Sequence, residues 1–325
     1  MSNQILIGSN VGELKRGQSM KVSVVLRLES PVKVRGIHAH FHGAEETKAT
    51  YTTTTTSGKG QVSTTTHTAV EHVTITEQKH LLAGRERAGF FANLCDALAT
   101  LFGGGRHLVL QPGEYEYEVE ISIPADAPPT HTGDRSRVFY ELTGLVDIPF
   151  GRDLKAVYSF HVATLPPELE VNPVRVRYPG DAGRGFWDKL LGPDVRIELA
   201  LAKDVLLLGS SVDGIFQVET DQPVEVRAIR ARLIGHESSQ AHGHSDSHHF
   251  RGDSIEFNPP GNIHGRYSER FSLTADSVRK MPMTANGELF SIDWFVQVEL
   301  DVPWAKDPTI RAPIVLLSKA EAYTK

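Results

Sequence analysis

Histidine is the residue type whose number and spacing in this sequence most directly suggest chemistry. The chain of 325 residues contains 15 histidines, and five of them lie between positions 236 and 249. Neutral imidazoles at spacings of two and of four or five residues can chelate Zn, Ni or Cu. The candidate ligands are His242, His244, His248 and His249. The alternative is a polar hairpin tip that binds metal only adventitiously, and on that interpretation we expect no metal and no other cofactor.

A second group of histidines lies on a predicted strand. His38, His40 and His42 occupy alternate positions, so their side chains project from one face. Two segments are similar to the metal motifs of the cupins, which are also β-sandwiches: His38-x-His40 followed by Glu45, and Pro259-x-Gly261-x-x-His264. The two half-motifs are more than 200 residues apart, and an internal repeat places Arg230 and Arg232 at the positions of His38 and His40. We therefore predict no catalytic residues, with a metal-dependent cupin-like enzyme as the alternative.

A segment rich in threonine carries candidate partner-binding residues. Residues 51–67 read as two strands around a turn at Gly58-Lys59-Gly60. Threonine forms strands well but is polar, so both faces of such a hairpin tolerate water. The segment is either a solvated hairpin or an exposed edge that pairs with a strand of a partner protein. The candidate contact residues are Thr53, Thr55, Thr64 and Thr66.

Two aromatic residues, Phe186 and Trp187, stand between glycines in the stretch 178–192. Aromatic side chains in such a segment can anchor a protein partner. The alternative is that they pack inside the molecule and fix the angle between two lobes. Both residues are therefore partner-binding candidates.

The elements that must position these residues are predominantly β. Short runs rich in Val, Ile, Thr, Tyr and Phe alternate with polar residues, and residues 115–123 alternate almost strictly. Turn sequences such as Pro112-Gly113 and Asn172-Pro173 separate the runs. Many short strands separated by turn sequences are typical of β-sandwiches.

One segment departs from the β pattern and predicts an amphipathic helix. In residues 85–102 the apolar residues recur at helical spacing, and Gly103-Gly104-Gly105 follows as a stop signal. The apolar face consists of Phe90, Phe91, Leu94, Cys95, Leu98, Leu101 and Phe102. We expect this face to dock on the protein's own sheet, and docking on a membrane or a partner is the alternative.

Charge and cysteine content exclude several classes. A net charge of −6 argues against a nucleic-acid-binding surface over the whole protein, because phosphate contacts need an excess of Lys and Arg. Cys95 is the only cysteine, so there is no intrachain disulfide and no cysteine-based zinc site. The sequence shows neither a secretory signal nor an apolar stretch of about 18 residues that could span a membrane. We expect a soluble cytoplasmic protein, and peripheral membrane association stays open.

An internal repeat indicates two domains. Residues 5–47 align without a gap onto residues 197–239. Identical pairs include Pro31/Pro223, Gly43/Gly235 and Glu45/Glu237. A repeat of this length is typical of a duplicated structural unit. The predicted domains are residues 1–167 and 168–325, each a β-sandwich.

Three segments of the first half together resemble the arrestin-like family: Leu110–Pro124 with a Pro-Gly turn and an alternating strand, Pro128–Gly133, and Val138–Gly144 with a Tyr-Glu-Leu strand. The predicted helix is similar to the single helix of the arrestin first lobe, and the resemblance extends to bacterial relatives of the sporulation-control type. It implies an all-β fold of two tandem immunoglobulin-like antiparallel β-sandwiches with one helix on the first lobe. It also implies a non-enzymatic adaptor or scaffold that binds other proteins through exposed strand edges and loops.

Overall fold

The computed structural model describes residues 3–8, 13–58, 60–84, 108–163, 171–178, 195–276, 281–303 and 307–317. The regular elements among these residues are β-strands. Within these ranges no helix has the length and apolar character needed to cross a membrane. The helix predicted over residues 85–102 lies outside the described residues, and so do Phe186 and Trp187.

The described strands of the first half are β1 (Gln4–Gly8), β2 (Glu13–Leu14), β3 (Ser19–Leu28), β4 (Val32–Val34), β5 (Gly36–Thr56), β6 (Val62–Gly84), β7 (Leu108–Leu110), β8 (Gly113–Ser122), β9 (His131–Thr132), β10 (Ser136–Asp147) and β11 (Leu154–Val162). Those of the second half are β12 (Val174–Tyr178), β13 (Val195–Leu201), β14 (Val205–Leu207), β15 (Ser211–Glu225), β16 (Ala228–Ala241), β17 (His244–Phe257), β18 (Asn262–Thr274), β19 (Ala285–Asn286), β20 (Phe290–Asp301) and β21 (Thr309–Leu317).

The strands that the two halves share follow the same order, and the second half has the additional strand β12. The first has sheets β1-β3-β8 and β2-β11-β10-β5-β6, and the second has β12-β13-β15-β18 and β14-β21-β20-β16-β17. Each half also contains one parallel pairing, β2 with β11 and β14 with β21. In addition, β4 pairs with β7. The matching order confirms the prediction of two tandem antiparallel β-sandwiches.

The chain forms two compact units that interleave along the sequence. Unit 1 comprises Met1–Glu46, His72–Thr130 and Arg137–Ala163, and unit 2 comprises Thr47–Glu71, His131–Ser136 and Thr164–Lys325. Strands β5 and β6 therefore contribute residues to both units. The predicted domain border after residue 167 falls among residues 164–170, which the structure does not describe, and it stays a prediction.

An aromatic residue occupies the same place in the core of both units. In unit 1 the hydroxyl of buried Tyr140 donates a hydrogen bond to the carbonyl of Pro128 at 2.6 Å. In unit 2 the indole N–H of buried Trp294 donates to the carbonyl of Pro282 at 2.9 Å. Both aromatic residues occupy the third strand of a five-strand sheet path, β10 or β20.

The repeated glycines explain how these aromatic side chains fit. A Cβ atom on Gly43 would lie 2.5 Å from the Tyr140 ring, and one on Gly235 would lie 2.8 Å from the Trp294 ring. Real Cβ atoms essentially never approach a neighbour below 3.0 Å. The identical pair Gly43/Gly235 is thus explained by the packing of one large ring against bare backbone in each unit.

Candidate functional site

The threonine hairpin, which we define as residues 47–71, belongs to unit 2. A hydrogen bond from the N–H of Ser57 to the carbonyl of Gln61, at 2.8 Å, closes its turn. Gly60 adopts a φ of 77°, which lets the backbone reverse direction there. Two strands around this turn were predicted, and the structure confirms them. The candidate contact residues Thr53, Thr55, Thr64 and Thr66 are all exposed.

The base of the threonine hairpin is tied to the histidine hairpin, which we define as β16, β17 and their turn. The N–H of Thr50 donates to Asp246 Oδ2 at 3.0 Å, and the N–H of His242 donates to Glu71 Oε2 at 2.6 Å. Tyr51 stacks on His244, with ring centroids 3.7 Å apart. The threonine hairpin therefore has a fixed base and an exposed tip.

Asp246 is the charged anchor of this contact. Burial opposes ionisation of its carboxyl group, but N–H donors from Thr50 and Ser247 and the nearby Arg135 outweigh burial and lower the pKa of Asp246. The Arg135 guanidinium lies 3.4 Å from the Asp246 carboxylate. Asp246 therefore stays ionised, which strengthens the hydrogen bond that it accepts from Thr50.

The histidine-rich segment is a regular hairpin with a two-residue turn. His242 and Gly243 form the turn, with φ values of 50° and 78°, a combination typical of type I′ turns. The alternation of β17 separates the remaining histidines: His244 and His248 are partly covered, whereas His249 is exposed. Across the described ranges, no group of three or more His, Cys, Asp or Glu side chains is arranged to hold a metal ion.

Two of the predicted ligands have other neighbours. His248 Nδ1 lies 3.5 Å from Asp134 Oδ2, and the His249 ring lies 4.9 Å from the ring of His236 on the adjacent strand. Although the His249 side chain is exposed, partial desolvation by its neighbours lowers the pKa of His249, and the nearby His236, Arg311, His248 and Arg251 lower it further. This imidazole is therefore neutral at pH 7.

A buried carboxylate, which the sequence did not single out as functional, organises residues 133–136 in unit 2. Glu237 is 0% exposed. It accepts hydrogen bonds from the N–H groups of Asp134 at 2.9 Å and Arg135 at 3.0 Å, and from Ser136 Oγ at 2.6 Å. A Cβ atom on Gly133 would lie 2.2 Å from Glu237 Oε1. The loop thus wraps around the carboxylate, and glycine is needed at its closest point.

Ser136 also connects Glu237 to the buried imidazole of His131. His131 Nε2 lies 2.9 Å from Ser136 Oγ. Since the hydroxyl donates to Glu237, its oxygen accepts from the Nε2–H of His131. Burial lowers the pKa of His131 to about 4. The Ser136 hydroxyl donates its hydrogen bond to a carboxylate and not to the imidazole, so this chain of contacts stabilises the loop and is not arranged to activate a serine nucleophile.

The cupin-like half-motifs lie on strands of different units. His38, His40 and His42 share the outer face of β5 in unit 1, where His40 Nε2 contacts Glu77 Oε1 at 3.1 Å. His264 is exposed on β18 in unit 2. At the positions equivalent to His38 and His40, Arg230 pairs with Glu256 and Arg232 with Glu299.

The outer edge of β1 is a feature that sequence analysis missed. By the repeat, β1 corresponds to β13, which pairs with β15 on one side and with β12 on the other. Strand β1 pairs with β3, and no described strand pairs with its other edge. Leu6 on β1 is 40% exposed. The alternating residues 174–178, which precede the second repeat, are the sequence signal for the strand that covers β13.

The equivalent edge of β13 shows what a strand at this place contacts. Strand β12 runs antiparallel to β13, with Arg177 opposite Glu198. The guanidinium groups of Arg175 and Arg177 lie 3.3 and 3.6 Å from the Glu198 carboxylate. The residue of β1 that corresponds to Glu198 is Leu6, so the edge of β1 is apolar where that of β13 is acidic.

Comparison with known protein families gives a match for the first half of the chain. Residues 4–165 match the family model described as arrestin (or S-antigen), N-terminal domain. No curated protein matches the sequence. The matched range includes β1–β11, and thus both β1 and the threonine hairpin.

Proposed function

The chain belongs to the arrestin-like family, and on that premise we propose that it is a non-enzymatic adaptor that adds an extended segment of a partner protein to the outer edge of β1. The observation that carries the proposal is the contrast between β13, whose outer edge is covered by β12, and β1, for which the described residues provide no such strand. An edge strand presents unpaired N–H and C=O groups that a further strand can satisfy.

The side chains along β1 define the kind of segment that fits. Main-chain hydrogen bonds supply affinity in strand addition, and alternate side chains supply specificity. Because Leu6 replaces the acidic residue that binds Arg175 and Arg177 in unit 2, the incoming strand should place an apolar side chain opposite Leu6. A segment of about five residues would match the length of β12.

The threonine hairpin is a second proposed contact of the same adaptor. Its tip is exposed, and Lys59 is the only Lys, Arg, Asp or Glu between Tyr51 and Val70, so the tip lacks the charges that usually protect strand edges. Thr53, Thr55, Thr64 and Thr66 are the proposed contact residues. Phe186 and Trp187 remain proposed anchors for a partner, and a cytoplasmic location remains part of the proposal.

The proposal is tested by capture of partners from the native host, followed by mass spectrometry. Leu6→Lys places a charge on the open edge of β1, and Ile215→Lys is the matched control because Ile215 is similarly exposed, at 41%, on β15. We expect Leu6→Lys to lose the partners that the wild type and Ile215→Lys retain, with the melting temperatures of all three equal. Identical partners for Leu6→Lys and the wild type would show that β1 does not carry the function.

A further inference from the structure

We infer that His236 and His249 form a two-imidazole site for a Zn²⁺, Cu²⁺ or Ni²⁺ ion on the histidine hairpin. The two residues lie directly opposite each other on the antiparallel strands β16 and β17. Their ring centroids are 4.9 Å apart, with an angle of 38° between the ring planes. The site is independent of the adaptor function proposed above.

The geometry of an antiparallel pair favours shared coordination. Side chains of directly opposite residues leave the same face of the sheet, with Cβ atoms about 4.5–5.5 Å apart. Imidazole nitrogens bind zinc at about 2.0–2.1 Å, so small side-chain rotations bring one nitrogen of each ring to a common ion. Water completes the coordination shell, because the site is on the surface.

A carboxylate stands next in the same row. His236 has a second neighbour in register, Asp293 on β20. Asp293 Oδ2 accepts a hydrogen bond from Ser291 Oγ at 3.0 Å. Three adjacent strands thus place His249, His236 and Asp293 side by side, and the carboxylate adds negative charge beside the proposed ion.

The other two histidines on strands β16 and β17 contact residues of neighbouring segments. His244 stacks on Tyr51, and His248 contacts Asp134. Within the described part of the chain, neither His236 nor His249 makes a hydrogen bond or an ion pair to another residue. Their ring nitrogens are therefore available as ligands, which depend on an unshared nitrogen lone pair.

The surroundings of the pair determine which metals it should take. Arg251 and Arg311 lie close enough to His249 to influence its ionisation, and their charge repels all cations. Hard ions such as Ca²⁺ and Mg²⁺ depend on several oxygen ligands and gain little here. Cu²⁺, Ni²⁺ and Zn²⁺ form strong bonds to imidazole, so the site should select these metals over hard ions.

The test is isothermal titration of Zn²⁺ into the full chain without an affinity tag, together with electron paramagnetic resonance of the Cu²⁺-loaded protein. The test variants are His236→Gln and His249→Gln. The matched controls are His242→Gln, in the turn of the same hairpin, and His264→Gln, exposed on β18. Mg²⁺ serves as the hard-ion control. All variants should keep the metal-free melting temperature, since the altered side chains are not part of the core.

We expect each of the two test variants to weaken Zn²⁺ binding about tenfold or more, while the controls stay within about twofold of the wild type. The Cu²⁺ spectrum should show coupling to two nitrogens in the wild type and to one in either test variant. Equal Zn²⁺ affinity in His236→Gln, His249→Gln and the wild type would overturn the assignment. An absence of Zn²⁺ binding by the wild type at millimolar concentration would overturn it as well.

Discussion

Tyr51 and His244 stack with ring centroids 3.7 Å apart and ring planes within 3° of parallel, although 193 positions separate them in the sequence. Such a pair contributes about 0.5–1.5 kcal/mol to stability in addition to the free energy gained by burying its apolar surface. We therefore expect Tyr51→Ala and His244→Ala to be non-additive by about 1 kcal/mol in the free energy of unfolding. A double-mutant cycle by urea denaturation measures this coupling. Tyr51→Ala combined with His249→Ala is the control pair and should be additive.

Removal of the Glu237 side chain should be among the most destabilising single changes in unit 2. Glu237→Ala leaves two backbone N–H groups and the Ser136 hydroxyl without their acceptor in a buried place. The expected cost is roughly 3–5 kcal/mol in the free energy of unfolding. Glu237→Gln keeps one acceptor oxygen and should cost less. A melting temperature of Glu237→Ala equal to that of the wild type would contradict this account of the loop.

Gly133→Ala tests the same contact from the side of the loop. The added Cβ would lie 2.2 Å from Glu237 Oε1, so either the loop or the carboxylate must move. We expect a loss of about 1–3 kcal/mol, as for overpacking of a core. In the Glu237→Ala background the added methyl group has space, and the further loss should be small. Denaturant unfolding measures the loss of stability in both backgrounds. Equal losses would show that contact with Glu237 is not the reason why Gly133→Ala destabilises the protein.

The stability of the protein should fall between pH 6.5 and pH 4 because of His131. Burial lowers its pKa to about 4 in the folded state, whereas the unfolded chain has a histidine pKa of about 6.5. Between these pH values the unfolded state binds more protons than the folded state. The free energy of unfolding therefore decreases as the pH falls. Above pH 6.5 His131 is neutral in both states and the free energy of unfolding is at its full value. Toward pH 4 the free energy of unfolding decreases by up to about 3 kcal/mol because of this residue.

His131→Gln removes this titration and keeps a side-chain N–H donor for Ser136. We measure the free energy of unfolding of the wild type and the variant by urea denaturation at several pH values. The two curves should converge or cross as the pH falls, because only the wild type loses stability through His131. His264→Gln, which alters an exposed histidine, should parallel the wild type. Parallel curves for His131→Gln and the wild type would show that His131 does not titrate as described.

Each of the two aromatic hydrogen bonds to a proline carbonyl should stabilise its own unit. Tyr140→Phe removes the donor to Pro128 with little change in volume. We expect a loss of about 1–2 kcal/mol in the free energy of unfolding, because a partly buried carbonyl loses its partner. Trp294→Phe removes the donor to Pro282 and also leaves a cavity, so its cost should be greater. Calorimetric melting of the two variants distinguishes these losses, and an unchanged Tyr140→Phe would contradict the prediction.

Local pattern was sufficient to predict much of this architecture. The repeat predicted equivalent strands, and the structure gives the strands that the two halves share one order. A turn was predicted from the sequence Gly58-Lys59-Gly60, and Gly60 has the positive φ that glycine adopts readily. The pair Gly43/Gly235 was visible as an identity, but its cause was not, since the rings that require glycine come from β10 and β20 much later in the chain.

Features that depend on distant pairing could not be predicted. Alternation marks residues 174–178 as a strand, but it does not say that this strand covers β13 and that β1 has no such neighbour among the described residues. Glu237 looked like any repeated acidic residue, because its donors lie about 100 positions earlier. The spacing of the histidines suggested a common ligand set, whereas the pleat of β17 distributes them over two faces.

The assignment of Thr47–Glu71 to unit 2 has a consequence for protein synthesis. A ribosome adds about 5–20 residues per second, so the threonine hairpin leaves the tunnel roughly 10–35 seconds before the strand that carries His244 and Asp246. During this interval the hairpin has no docking surface, and an uncharged strand with high β propensity is an aggregation hazard. A hairpin built from threonine exposes a polar surface to water during this interval, whereas one built from valine or isoleucine would expose an apolar face.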